Sequence, residues 1–153
     1  MRVLVQRVSK ARVVVSGEVV GAIERGLLVF VGITASDTEA ELQWMATKCA
    51  NLRIFADEEG LMNRSLVDVK GNALVVSQFT LYGDARKGNR PSFVDAAKPE
   101  IAEPLYQRFC ALMSDLIGRP VATGRFAAMM DVELTNDGPV TIWIEREAEG
   151  VER

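Results

Sequence analysis

Between Ser77 and Phe93 the chain passes from an apolar run into hydroxyl, amide and cationic groups, the residue types from which a reactive site can be assembled. Ala73-Leu74-Val75-Val76 reads as a strand covered on both faces, and Ser77, Gln78 and Thr80 bring hydrogen-bonding groups to its end. Gly83, Gly88 and Pro91 mark turns beyond it. Arg86, Lys87 and Arg90 place three cations within five residues, a spacing that can hold a phosphate-bearing ligand against the strand end. A solvated, glycine-containing connection has the same composition, so this stretch alone nominates a site without naming a reaction.

The chain contains no histidine, which excludes Ser-His-Asp and Cys-His mechanisms and the commonest zinc sites. A hydrolase of this composition must move its proton through a hydroxyl, a carboxylate, a lysine, a water or the substrate itself. Backbone amides would supply the electrostatic stabilisation. The net charge of −3 argues against indiscriminate nucleic-acid binding, so any RNA contact is local. Asp57-Glu58-Glu59 is read as a solvated turn rather than a metal site, because three consecutive acids cannot all face one ion. Cys49 and Cys110 sit among apolar neighbours on helical patterns and read as core thiols.

These groups need a scaffold, and 153 residues with 48% hydrophobic content suit one domain, expected over 1–145 with a charged, frayed tail from Arg146 to Arg153. Strands are expected over 2–8 and 11–15, with a turn at Ser16-Gly17-Glu18 leading to Val19–Ile23. Leu27–Ile33 is apolar throughout and reads as a central strand. Ser36 or Asp37 can cap a helix carrying Leu42, Met45, Ala46, Cys49 and Leu52. Further strands are expected over 53–55 and 65–69, and a second helix begins near Pro99, with Ile101, Leu105, Phe109, Leu112 and Leu116 inward and Gly118 at its end. The expected fold class is α+β: a mostly antiparallel, barrel-like sheet of seven or more strands covered by two long helices. No run approaches the ~18 apolar residues of a membrane helix, and Met1–Arg7 is too polar for a signal peptide, so a cytoplasmic location is expected.

Near the end, Phe126–Thr135 and Val140–Ile144 flank Asn136-Asp137-Gly138-Pro139 in the pattern of a hairpin. The proline after the glycine is unusual there, because it removes a ladder donor and opens the option of a cis bond.

Together, Ser77-Gln78-Phe79-Thr80 with Arg86-Lys87-Gly88 and Arg90-Pro91-Ser92-Phe93, and Asn136-Asp137-Gly138-Pro139-Val140-Thr141, resemble the D-aminoacyl-tRNA deacylase family. Val5-Gln6-Arg7-Val8, Gly26-Leu27-Leu28, Arg53-Ile54-Phe55 and Thr123-Gly124-Arg125-Phe126 extend the resemblance to about Trp143. It implies a homodimeric enzyme that hydrolyses the ester between a D-amino acid, or glycine, and the terminal adenosine of tRNA, without a metal or other cofactor. It further implies that Gly138 and Pro139, joined by a cis bond and held by Arg7, enter the partner subunit's pocket and exclude L-amino acids by clash. Ser77, Gln78, Phe79 and Thr80 would form the pocket wall, the Phe79 and Thr80 amides would hold the oxyanion, and Met130 would line the adenosine side. Arg86, Lys87 and Arg90 would touch phosphate or ribose. Thr80 is assigned positioning rather than nucleophilic attack, since no base stands beside it in sequence. Two other readings stay open on the residues alone: a hydrolase of free D-aminoacyl esters or peptides, and a non-catalytic dimeric binding protein.

Overall fold

The computed structural model describes residues 1–150. Its spine is β1 (Arg2–Val15), whose first half pairs antiparallel with β3 (Gly26–Gly32) and whose second half pairs with β2 (Glu18–Ile23). Where two strands were expected over 2–8 and 11–15 there is one, continuous across a bulge between Val8 and Lys10. That extra residue flips the side-chain alternation. Val3 and Val5 pack toward the helices, whereas Ala11, Val13 and Val15 pack into the opposite core.

β6 (Asn72–Ser77) runs parallel to β3, and β7 (Ala122–Thr123) runs parallel to β6. The sheet is therefore mixed, antiparallel around β1 and parallel from β3 through β6 to β7, and among the described residues it holds six strands rather than seven or more. It curls until β2 meets β7: a Cβ on Gly21 would lie 2.2 Å from the carbonyl oxygen of Thr123, so only glycine allows this approach. Val8, Val13, Ile23, Leu28, Leu74 and Val76 fill the interior of the nearly closed barrel. Outside it, α1 (Glu39–Asn51) and α3 (Pro99–Ile117) cover Leu27, Val29, Val31, Ala73 and Val75. Both faces of β3 and β6 are thus dry, which is why these strands read as unbroken apolar runs.

Thr38, not Ser36 or Asp37, caps α1: its backbone amide donates to Glu41 at 2.7 Å and its hydroxyl accepts from Ala40 at 3.3 Å. Asp37 is taken by the Met1 ammonium at 2.9 Å, both groups fully buried, and also accepts the Thr34 amide. Burial pushes its carboxyl upward, offset in part by the ammonium and that amide.

The segment 65–69, expected as a strand, is the single-turn helix α2 (Leu66–Val69). The reciprocal bonds between Ser65 and Asp68 outweigh the β-branched residues there. With α2 the described residues hold three α-helices, of which α1 and α3 are the long ones. The strand expected over 53–55 falls at β4 (Phe55–Ala56), which pairs with β5 (Met62–Arg64) outside the main sheet. Between them Asp57 closes an exposed turn by accepting the Glu59 and Leu61 amides.

α3 starts at Pro99 and ends at Gly118, whose φ of 75° closes the helix. Its inward stripe is rotated from the expected one: Tyr106, Phe109, Cys110, Met113 and Ile117 are buried, while Ile101 and Leu116 are exposed. Tyr106 sets this rotation by donating its hydroxyl to the Val75 carbonyl at 2.7 Å. Cys49 and Cys110 are buried, and desolvation pushes their thiols up to about 12 and about 11.

β8 (Asp131–Glu145) corrects the expected hairpin, because it does not fold back. It lies antiparallel to β1 along its whole length, with Val14 opposite Asp131 and Arg2 opposite Glu145. Arg146, expected at the start of a frayed tail, is anchored: it exchanges backbone hydrogen bonds with Met1 and lies 5.0 Å from the Trp44 ring. Residues 151–153 of that tail lie outside the described residues.

Candidate active site

The end of β6 delivers the focal residues. Ser77 is the last strand residue, and the Gln78 amide donates to the Val31 carbonyl at 2.8 Å. The chain then tightens into a 3-10 turn over Phe79–Tyr82. This turn rests on Gly32, where a Cβ would lie 3.1 Å from Leu81 Cβ and 3.2 Å from the Gln78 carbonyl oxygen. The first internal bond of the turn runs from the Leu81 amide to the Gln78 carbonyl at 3.2 Å. The Phe79 and Thr80 amides precede it, so the turn itself uses neither.

Beside the turn is a cavity of about 560 Å³. Ser77, Gln78 and Phe79 form one wall, Phe93 and Ala97 another, and Phe126 and Met130 a third. The cavity is largely apolar, and polar groups concentrate at the strand end. Phe79 and Phe93 meet edge to face at 5.3 Å, closing one corner. Met130 reaches the wall because Gly124 leaves room, since a Cβ there would stand 2.6 Å from the Met130 sulfur. Thr80 lies outside this lining, and its hydroxyl accepts a hydrogen bond from the side-chain Nε2 of Gln78. Among the described residues no group of His, Cys, Asp and Glu is placed to hold a metal ion.

Sequence reasoning did not assign Phe93 or Phe126 to the pocket. Both fall in recognisable motifs, Arg90–Phe93 and Thr123–Phe126, but their approach to Ser77 depends on long-range packing that no local pattern records.

Arg86, Lys87 and Arg90 stand on an exposed loop closed at its base by paired backbone bonds between Asp84 and Ser92, both 2.8 Å. Arg86 grips Asp84 with two bonds, 2.9 and 2.7 Å, and these, with the Arg86 amide, hold the Asp84 carboxyl down at about 2. The loop runs on into Phe93, which lines the cavity, whereas none of the three cations does, and Arg86 lines a separate cleft with Arg2, Tyr82 and Asp95.

Gly138, Pro139 and Arg7 lie apart from the cavity of their own chain. Between the pairs Gln6–Thr141 and Val8–Asn136, Arg7 alone stands opposite the four residues Asp137–Val140, which form a bulge: Asp137, Gly138 and Pro139 are exposed, and Val140 returns to the core. Asn136 braces the bulge by accepting the Val140 amide at 2.9 Å and donating to the Thr141 hydroxyl at 3.0 Å. The Gly138–Pro139 peptide is cis, and Gly138 has a φ of +135°, a conformation L side chains rarely adopt.

The strand end thus sets backbone amides beside a largely apolar cavity, in a chain without histidine. The family model described as D-Tyr-tRNA(Tyr) deacylase matches residues 4–145. A D-aminoacyl-tRNA deacylase of Chloroherpeton thalassium is 61% identical over 145 residues, 95% of each chain. A solved structure named c-Myc DNA Unwinding Element Binding Protein superposes with a TM-score of 0.90 at 42% identity, covering 97% of this chain and 100% of that one. The fold recurs in a probable eukaryotic D-amino acid tRNA deacylase, at a TM-score of 0.81 and 21% identity over 94% of this chain and 97% of that one. The chain belongs to the D-Tyr-tRNA(Tyr) deacylase family, and is an enzyme that hydrolyses an acyl ester.

Proposed function

We propose that the protein hydrolyses the ester joining a D-amino acid, or glycine, to the terminal adenosine of tRNA. The observation that carries this reading is the Phe79–Tyr82 turn at the cavity wall, whose first two amides the turn leaves unused. Water attacks the ester carbonyl with the ribose 2′-hydroxyl assisting its deprotonation. The Phe79 and Thr80 amides hold the oxyanion, and the bond to the ribose 3′-oxygen then breaks. Free amino acid and tRNA with a free 3′-hydroxyl leave. No protein side chain needs to act as base, in keeping with a chain that has no histidine.

Chirality is judged by a second copy of the chain, which brings its Gly138–Pro139 bulge to this pocket and leaves no room for an L side chain. The outward bulge, fixed by Arg7 and Asn136 and separate from its own chain's cavity, supports such a role across a dimer. Lys87 and Arg90, with Arg86 partly neutralised by Asp84, contact phosphate or ribose near the acceptor end. The net charge of −3 lends no support to an extended DNA-binding face.

Release of D-tyrosine from D-tyrosyl-tRNA and from D-tyrosine methyl ester, each with and without EDTA, tests the reading. Strong preference for the tRNA ester and indifference to EDTA are expected. Equal rates on both esters would assign a free-ester hydrolase, and tight tRNA binding without product would assign a binding protein.

A further inference from the structure

The turn that presents the Phe79 and Thr80 amides must be held at its far end as well. That end is occupied by Arg2, a residue with no part in the motifs that mark the site. Its guanidinium donates to the Leu81 carbonyl at 3.0 Å and lies over the Tyr82 ring, 4.5 Å from the centroid. The same group is 5.7 Å from the Trp143 ring, and its Nε lies 3.3 Å from Glu145. Arg2 is fixed in turn by its backbone, since it pairs with Gly32 on one side and Glu145 on the other. It lines a cleft with Tyr82, Asp84 and Asp95 and takes no part in the substrate cavity.

We infer that Arg2 is a positioning residue for the reaction, acting through the Phe79–Tyr82 turn. Gly32 supports the turn from beneath, the Val31 carbonyl holds its entrance, and Arg2 closes its exit. Removing the guanidinium frees Leu81 and Tyr82 to tilt, and the Phe79 and Thr80 amides shift from the place where the oxyanion forms. Oxyanion stabilisation depends steeply on donor placement. The loss therefore falls on the chemical step and not on tRNA association.

This inference rests on the deacylase reading, and both are read in one assay. Arg2→Met is compared with wild type for kcat and KM on D-tyrosyl-tRNA, with thermal unfolding as the check on folding. The expected result is a folded variant whose kcat is lower by about tenfold or more with KM near the wild-type value, and partial recovery of kcat in Arg2→Lys. A folded Arg2→Met with wild-type kcat would overturn the inference, as would a change confined to KM, which would mark Arg2 as a tRNA contact. If Arg2→Met does not fold, Arg2→Gln is judged by the same outcomes. Failure of wild type itself to release D-tyrosine would sink the deacylase reading instead.

Discussion

Arg7 Nε donates a 3.0 Å hydrogen bond to the carbonyl oxygen of Asp137, 130 positions later in the chain. The same guanidinium donates to the Ile54 carbonyl at 2.6 Å and stands 3.4 Å from the Asp137 carboxylate. One side chain thereby ties the bulge of β8 to the start of the β4–β5 hairpin. Arg7→Met leaves two carbonyls without their donor, a cost of about 1–3 kcal/mol each where water cannot replace it. The variant is expected to unfold at lower denaturant and, because its bulge is loose, to release more L-tyrosine from L-tyrosyl-tRNA than wild type. Unchanged discrimination between D and L esters would separate Arg7 from chiral selection.

Thr80 is expected to be dispensable as a nucleophile. Thr80→Val keeps the backbone amide and removes only the hydroxyl bonded to Gln78. Turnover of D-tyrosyl-tRNA should fall by far less than the ~100-fold or more that loss of a general acid or base costs. An abolished rate, together with an acyl-enzyme trapped on the wild-type protein, would make Thr80 the attacking group.

Lys87 is exposed on the loop closed by Asp84 and Ser92 and takes no part in the core. Lys87→Glu is expected to weaken tRNA binding and to lower the slope of log K against log salt by about one, as loss of one phosphate contact requires. Identical binding curves for variant and wild type would return the loop to a solvated role.

The Asp84–Arg86 clamp has a defined acid limit. The Asp84 carboxyl is lowered from its ordinary 3.8 to about 2, first by the Arg86 side-chain bonds and then by the Arg86 amide. A depressed carboxyl stabilises the folded loop fully above its ordinary value, and that contribution is lost as pH falls from about 3.8 through about 2. Carboxyl carbon shifts followed by NMR should show Asp84 titrating well below free aspartate. Asp84→Asn should abolish the matching change at the Arg86 guanidinium, whereas a titration near 3.8 would show that the clamp does not persist in solution.

Much of this organisation was legible in the residues. The Ala73–Val76 run announced a strand dry on both faces, and the polar groups from Ser77 onward marked its end as a place for chemistry, where Ser77, Gln78 and Phe79 line a cavity. What was illegible has physical causes. Strand pairing beyond the hairpin range leaves no local signature, so the parallel neighbours β3, β6 and β7 could not be told from antiparallel ones. Asp137-Gly138 mimicked a reversal, but register with β1 on both sides makes it an insertion in one strand. Ser65 with Asp68 forms a helix start that the β-branched Val67 and Val69 concealed. The approach of Phe93 and Phe126 to the cavity likewise depends on contacts between segments far apart in the chain.

The most direct measurement is the time course of amino-acid release from D-tyrosyl-tRNA and L-tyrosyl-tRNA, made on the same tRNA at low concentrations of wild-type protein. Rapid release from the D ester with the L ester intact is the predicted result. Loss of both esters at the same rate would contradict selection by the Gly138–Pro139 bulge and leave an esterase without a chiral gate.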